Sequence, residues 1–194
     1  NLLQTASGMN LTNYFNDWIL SGGWAQYSLD SYSTQAIPGN NYSVTVSINQ
    51  RLLGRNNFHN SVPLEISYFK SDWSRVIKKT IISGGNATYT TPLPFNPKYI
   101  SLNYDNKIGD ATSSETLSVK SLGNIICPLA KVTFSVINKG NDSSLVRIIH
   151  NYVKPDNFKS NPFKNILSNQ HYWKVEGIYS NGFIAKIRFN YDGN

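Results

Sequence analysis

The chain has 194 residues, a net charge of +7, and 40% hydrophobic against only 15% charged residues, which is room for one large or two small domains. No apolar run approaches the ~20 residues that span a bilayer, and the single Cys127 excludes an internal disulfide and a cysteine-based zinc cage. Aromatic residues at 13%, on a background rich in Asn, Ser and Thr, favour strands and turns over helices.

The first element is a short amphipathic helix. Leu11, Tyr14, Phe15, Trp18 and Ile19 fall at i, i+3, i+4, i+7 and i+8, one face of a 3.6-residue period. Asn10 is placed to cap its start and Gly22 to end it. A helix of two or three turns is marginal alone in water, so this face is expected to be buried against a partner. Asn1 follows no initiator Met and no basic-then-apolar leader, and reads as a processed or an engineered start, the second of which better suits a cut-out domain.

After Gly22-Gly23 the period changes to two. Trp24–Tyr32 reads as a strand, with a turn at Pro38-Gly39-Asn40-Asn41. Tyr42, Val44, Val46 and Ile48 alternate with Ser43, Thr45, Ser47 and Asn49, the clearest half-buried strand of the chain. A polar loop over Gly54–Asn60 leads to Val62, Leu64, Ile66 and Tyr68. Arg75–Ile82 follows, closed by Ser83-Gly84-Gly85-Asn86. Pro92, Pro94 and Pro97 predict an irregular connector before Ile100, Leu102 and Tyr104. The small polar run Gly109–Ser114 predicts a linker.

In the remainder, Val132, Phe134 and Val136 alternate with Thr133 and Ser135, and Lys139–Asp142 turns the chain into Leu145–Val153, predicting a hairpin. Lys154–Gln170 is a long Pro-, Asn- and Lys-containing loop. A last pair, His171–Tyr179 and Phe183–Tyr191, is joined at Ser180-Asn181-Gly182. In the final strand Phe183, Ala185, Ile187, Phe189 and Tyr191 share one face and Lys186, Arg188 and Asn190 the other. About four strands are expected here, few for a closed sandwich, so the module reads either as a small four-stranded unit or, the favoured reading, as one that has lost strands that followed.

Short strands parted by turns give an all-β expectation: two consecutive antiparallel β-sandwich-like modules preceded by a short amphipathic helix. The expected boundaries are residues 1–23 for the helical tail of a preceding domain, 24–114 for the first sandwich and 115–194 for a second, basic module. Charge supports the division: residues 1–115 carry 8 Lys/Arg against 7 Asp/Glu, residues 116–194 carry 10 against 4.

The search for chemistry finds no catalytic or metal-ligating set. His59, His150 and His171 lie far apart, no His-Glu-X-X-His is present, and Cys127 beside Pro128 reads as a small buried hydrophobe. Gly-X-Ser-X-Gly and phosphate-loop patterns are absent. The sequons at Asn10, Asn41, Asn86 and Asn141 are expected by chance in so Asn-rich a chain. Two binding surfaces remain open. Trp24, Tyr27, Trp73 and Trp173 are candidates for a flat glycan-binding platform. Lys154, Phe158, Lys159, Phe163, Lys164, Tyr172, Trp173 and Lys174 interleave cations with aromatics, the ingredients of a polyanion surface; nucleic acid itself is not expected as the partner.

The run Ser7-Gly8-Met9-Asn10-Leu11-Thr12-Asn13-Tyr14-Phe15-Asn16-Asp17-Trp18-Ile19 resembles the segment that closes the helical catalytic domain of zinc aminopeptidases of the aminopeptidase N type. Val62-Pro63-Leu64-Glu65-Ile66 and Pro97–Asp105 are similar to strands of the sandwich that follows it in those enzymes, so that the resemblance covers about residues 1–110. His171–Gly177 resembles part of an additional β domain of some bacterial homologues. The resemblance implies a bacterial metallopeptidase parent that binds zinc and is a hydrolase. This chain would be its non-catalytic part, with no cofactor of its own. Its partner would be the catalytic domain of the same polypeptide, met through Leu11, Tyr14, Phe15, Trp18 and Ile19. Export to the periplasm or cell surface is the favoured location.

Overall fold

A computed structural model describes residues 2–158, 160 and 165–190. Among them the protein is all-β apart from short helical turns near its start. These are α1 (Leu2–Ser7), α2 (Thr12–Tyr14) and a five-residue π-turn (Phe15–Ile19). The strands are β1 (Trp24–Ile37), β2 (Asn41–Leu53), β3 (Val62–Phe69), β4 (Arg75–Ile82), β5 (Asn86–Leu93), β6 (Tyr99–Leu102), β7 (Thr112–Val119), β8 (Gly123–Cys127), β9 (Val132–Asn138), β10 (Ser144–Asn151), β11 (Tyr172–Ile178) and β12 (Ile184–Phe189). Every pairing between them is antiparallel. The chain divides into two compact units, Asn1–Ala111 and Thr112–Asn194.

In the first unit one sheet has the order β1-β2-β5 and the other β4-β3-β6. Period-two burial is cleanest where the sequence alternates: Val44, Val46 and Ile48 of β2 and Val62, Leu64, Ile66 and Tyr68 of β3 are buried and form one core with Leu93 and Ile100. Of the connector expected over Pro92, Pro94 and Pro97, Pro92 belongs instead to the end of β5, while Pro94 and Pro97 lie in the irregular link from β5 to β6. Ala87, Tyr89 and Leu93 alternate toward the core, and Pro92 sits opposite Ser43 on a strand paired with β2 alone. Proline is tolerated there because an edge strand needs no second set of backbone donors.

The second unit has the sheets β11-β10-β7 and β12-β9-β8 around Val132, Phe134, Val136, Val146 and Ile148. Six strands are described where about four were expected. β8, holding Cys127, was not legible, and β7 opens at Thr112 inside the stretch read as a linker. The hairpin expected across Lys139–Asp142 does not form. β9 and β10 lie in different sheets, and so do β11 and β12. These connections are arches that pass from one layer of the sandwich to the other, which a turn signal alone cannot distinguish from a hairpin.

Candidate functional site

The expected helix over Leu11–Ile19 is present as two pieces. Asn10 Oδ1 accepts the Thr12 backbone N–H at 3.0 Å in an Asx-type turn, but the N-cap position belongs to Leu11 and carries no side-chain cap, so Asn10 leads into the helix one residue ahead of the place read from the sequence. The chain then widens: Leu20 N–H reaches Phe15 O at 2.8 Å, an i→i+5 bond. The wider turn changes which side chains face inward. The buried residue of this segment is Asp17, whereas Tyr14 is 48% and Ile19 57% exposed. Leu11, Phe15 and Trp18 are half-buried, and Trp18 packs against the first core.

Asp17 is held by the Gly54–Asn60 loop. Its Oδ2 accepts the Asn60 backbone N–H at 2.7 Å, and its Oδ1 lies 3.4 Å from Arg55 Nη2. Arg55 Nη1 donates to the Asp17 carbonyl at 2.8 Å and also contacts His59 Nε2, while its Nε donates to Asn57 O at 2.6 Å. With only 4% of the Arg55 side chain and 10% of the Asp17 side chain exposed, this is a buried ion pair with its remaining donors and acceptors satisfied.

His59 forms the floor of the cluster. Arginine is only a donor, so its contact with Nε2 makes that nitrogen the acceptor and leaves Nδ1–H to donate to the Tyr27 hydroxyl at 2.8 Å. The Gln50 side chain grips the His59 backbone from both sides, accepting its N–H at 2.6 Å and donating to its carbonyl at 3.1 Å. Trp18 covers the imidazole at 4.3 Å between ring centroids, and Tyr14 stacks on Trp18 at 5.9 Å. Burial, reinforced by the Arg55 guanidinium, pulls the His59 pKa from 6.5 down to about 4, so the ring is neutral at neutral pH. Burial likewise pushes the Tyr27 hydroxyl upward.

Beside this cluster an open pocket of about 390 Å³ is lined by Met9, Leu11, Tyr14, Trp18, Pro63 and Ile108, with polar residues at its rim. Asn13 closes one side by donating to Ser61 Oγ at 2.9 Å. Leu2, Leu3, Met9, Ile19 and Leu20 of the same N-terminal segment are exposed.

The other candidate residues are dispersed. In the first unit Trp24 is 56% exposed, whereas Tyr27 is buried on His59. Trp73 is half-buried in the β3–β4 turn with a positive φ of 67°. In the second unit Lys154 and Phe158 are exposed. Trp173 is committed to the fold: its Nε1 donates to Ala130 O at 2.8 Å and its ring lies flat on His150. Lys174 is paired with Glu176 at 2.8 Å. Lys159, Phe163, Lys164 and Tyr191 lie outside the described residues.

Among the described residues no three His, Cys, Asp or Glu side chains gather as a metal-ligand set. His59 is occupied as above, and His150 lies between Tyr152 and Trp173 with the His171 ring 5.3 Å away. The described residues therefore do not fit a zinc centre of the kind the resemblance implies for the parent enzyme.

The sequence singled out the apolar face of the N-terminal segment but not the residues that fasten it. Gln50, Arg55 and His59 lie within ten residues of one another but Asp17 is more than thirty residues away, and the four carry no shared motif; the one local signal is an acidic residue inside an otherwise aromatic run. Comparison of the chain with protein-family models, with curated proteins and with solved structures finds no match to any of them.

Proposed function

We propose that this chain is a non-catalytic pair of β modules that supports the catalytic domain of a zinc aminopeptidase-type protein, docking to it through the N-terminal helical segment. One observation carries the reading. The segment turns its acidic residue, Asp17, into its own sandwich and leaves Tyr14, Ile19 and Leu20 in solvent, the inverse of a helix that serves only its own core. Fastening by Asp17, Arg55 and His59 makes that outward face rigid, so that little ordering entropy is lost when it is covered.

In this reading the zinc and the reacting groups belong to the catalytic domain, and the chain contributes shape and contact area. The purified chain, with zinc added, is expected to leave aminoacyl chromogenic substrates unhydrolysed; chelator-sensitive turnover would overturn the proposal. The reading frame is expected to encode a His-Glu-X-X-His helix ahead of residue 1. Co-expression of that domain with the chain should give a stable complex that Tyr14→Asp combined with Ile19→Asp dissociates.

A further inference from the structure

The outer edge of the second unit has its own chemistry. Among the described residues β12 pairs with β9 alone, so one side of its backbone hydrogen-bonding groups faces outward unpaired. Its side chains alternate. Lys186 and Arg188 stand exposed on the outer face, opposite the uncharged Ser135 and Thr133 of β9. Neither cation has an ion-pair or hydrogen-bond partner among the described residues. On the inner face Ala185 and Ile187 reach the second core but stay half-exposed, and Phe189 is 46% exposed although it packs on Trp173 at 4.8 Å. The inner row is thus covered on the β9 side and uncovered on the other.

We propose that the free edge of β12 accepts an extended peptide segment in which acidic residues alternate with apolar ones, added as a fourth strand to the β12-β9-β8 sheet. Such a strand would meet the unpaired backbone with its own, place carboxylates beside Lys186 and Arg188, and lay its apolar residues over Ile187 and Phe189. Charge selects against a second copy of this chain as the occupant. An antiparallel β12–β12 pairing would set Lys186 and Arg188 against the same two cations of the copy, and like charges facing each other across strands destabilise the pair. Lone edge-strand cations also serve to keep edges apart. The two roles are separable, because only an acceptor binds a strand of opposite charge. This inference rests on the second unit alone, and its failure would leave the docking of the N-terminal segment untouched.

The test uses the whole chain and three labelled, end-blocked peptides of about eight residues, a usual strand length. One alternates Glu and Val, one has the same composition in two blocks, and one alternates Lys and Val. Fluorescence anisotropy is expected to show saturable binding of the alternating Glu/Val peptide, about tenfold weaker binding of the block peptide, and weakening with salt. Slowed amide exchange over residues 184–189 should accompany binding. Lys186→Glu with Arg188→Glu should lose the acidic peptide and take the Lys/Val one; Lys186→Gln with Arg188→Gln should bind neither tightly, with circular dichroism confirming that both variants fold. Absence of saturable binding, equal binding of the block peptide, indifference to the charge reversal, or a dimer in sedimentation that occupies this edge would each overturn the proposal.

Discussion

The indole of Trp173 lies parallel to the imidazole of His150, with ring centroids 4.3 Å apart and planes 9° from coplanar. His150 is 1% exposed, and neither of its ring nitrogens has a hydrogen-bond partner among the described residues. A ring used in this way serves as an aromatic filler, and it is stable there only while uncharged.

The first prediction follows from that stack. Burial, helped by His171 and Lys131, lowers the His150 pKa from 6.5 to about 4. The unfolded chain therefore binds a proton that the folded one refuses. The stabilisation is complete above pH 6.5 and is lost progressively as the pH falls toward about 4. His59 gives the first unit a dependence of the same sign over the same range. Urea midpoints measured from pH 7.5 to 4 should fall. His150→Phe, which keeps a flat ring and removes the titration, should flatten the second unit's share, read from amide exchange in β10.

Arg55 is the second target. Arg55→Ala would leave the Asp17 carboxylate buried without its cation, a change that typically destabilises by about 3–5 kcal/mol. Asp17→Asn with Arg55→Met, which removes both charges, should be milder. Amide exchange within β3 reports the first unit separately and should rank the two variants in that order.

Gly177 supplies a third. It lies in β11 at a φ of +149°, and a Cβ at this position would overlap the carbonyl of Leu145 on β10. Gly177→Ala is strained in both backbone and space, and should destabilise the second unit by about 2 kcal/mol or more. The lowered urea midpoint should be read in amides of the second unit, those of β10 and β11 included, and should spare the first unit.

Cys127 should be chemically quiet. It is 0% exposed, and burial together with the nearby Glu115 pushes its thiol up to about 11. At pH 8 a disulfide-exchange reagent should label it at least ~100-fold more slowly than it labels the chain in urea, since both access and thiolate are lacking. Rapid labelling of the native chain would show that β8 opens.

Much of this fold was legible because alternation is a local property. Val44-Thr45-Val46-Ser47-Ile48 announces both a strand and its inward face, and Arg75–Ile82 is bounded as its flanking turns suggest. Layer assignment was not local. Nothing in Lys139–Asp142 reveals whether the chain folds back in one sheet or crosses to the other, and here it crosses. β5 was hidden by Pro92, whose tolerance depends on being at an edge, a fact of the finished sheet. At the N-terminal segment the apolar spacing located the element, while the placing of Asp17 depended on Arg55 and Asn60, whose loop meets it only after folding.

The i→i+5 turn at Phe15–Leu20 has one more consequence. It holds a residue more than an ordinary helical turn, and that residue brings Asp17 onto Arg55 while Tyr14 and Ile19 point away. The stretch should therefore accept many exchanges of one side chain for another on its outer side yet tolerate no change in its length. A single deletion between Phe15 and Leu20 would rotate the segment by roughly a quarter turn, taking the carboxylate off its guanidinium and the outward face out of register with whatever it meets.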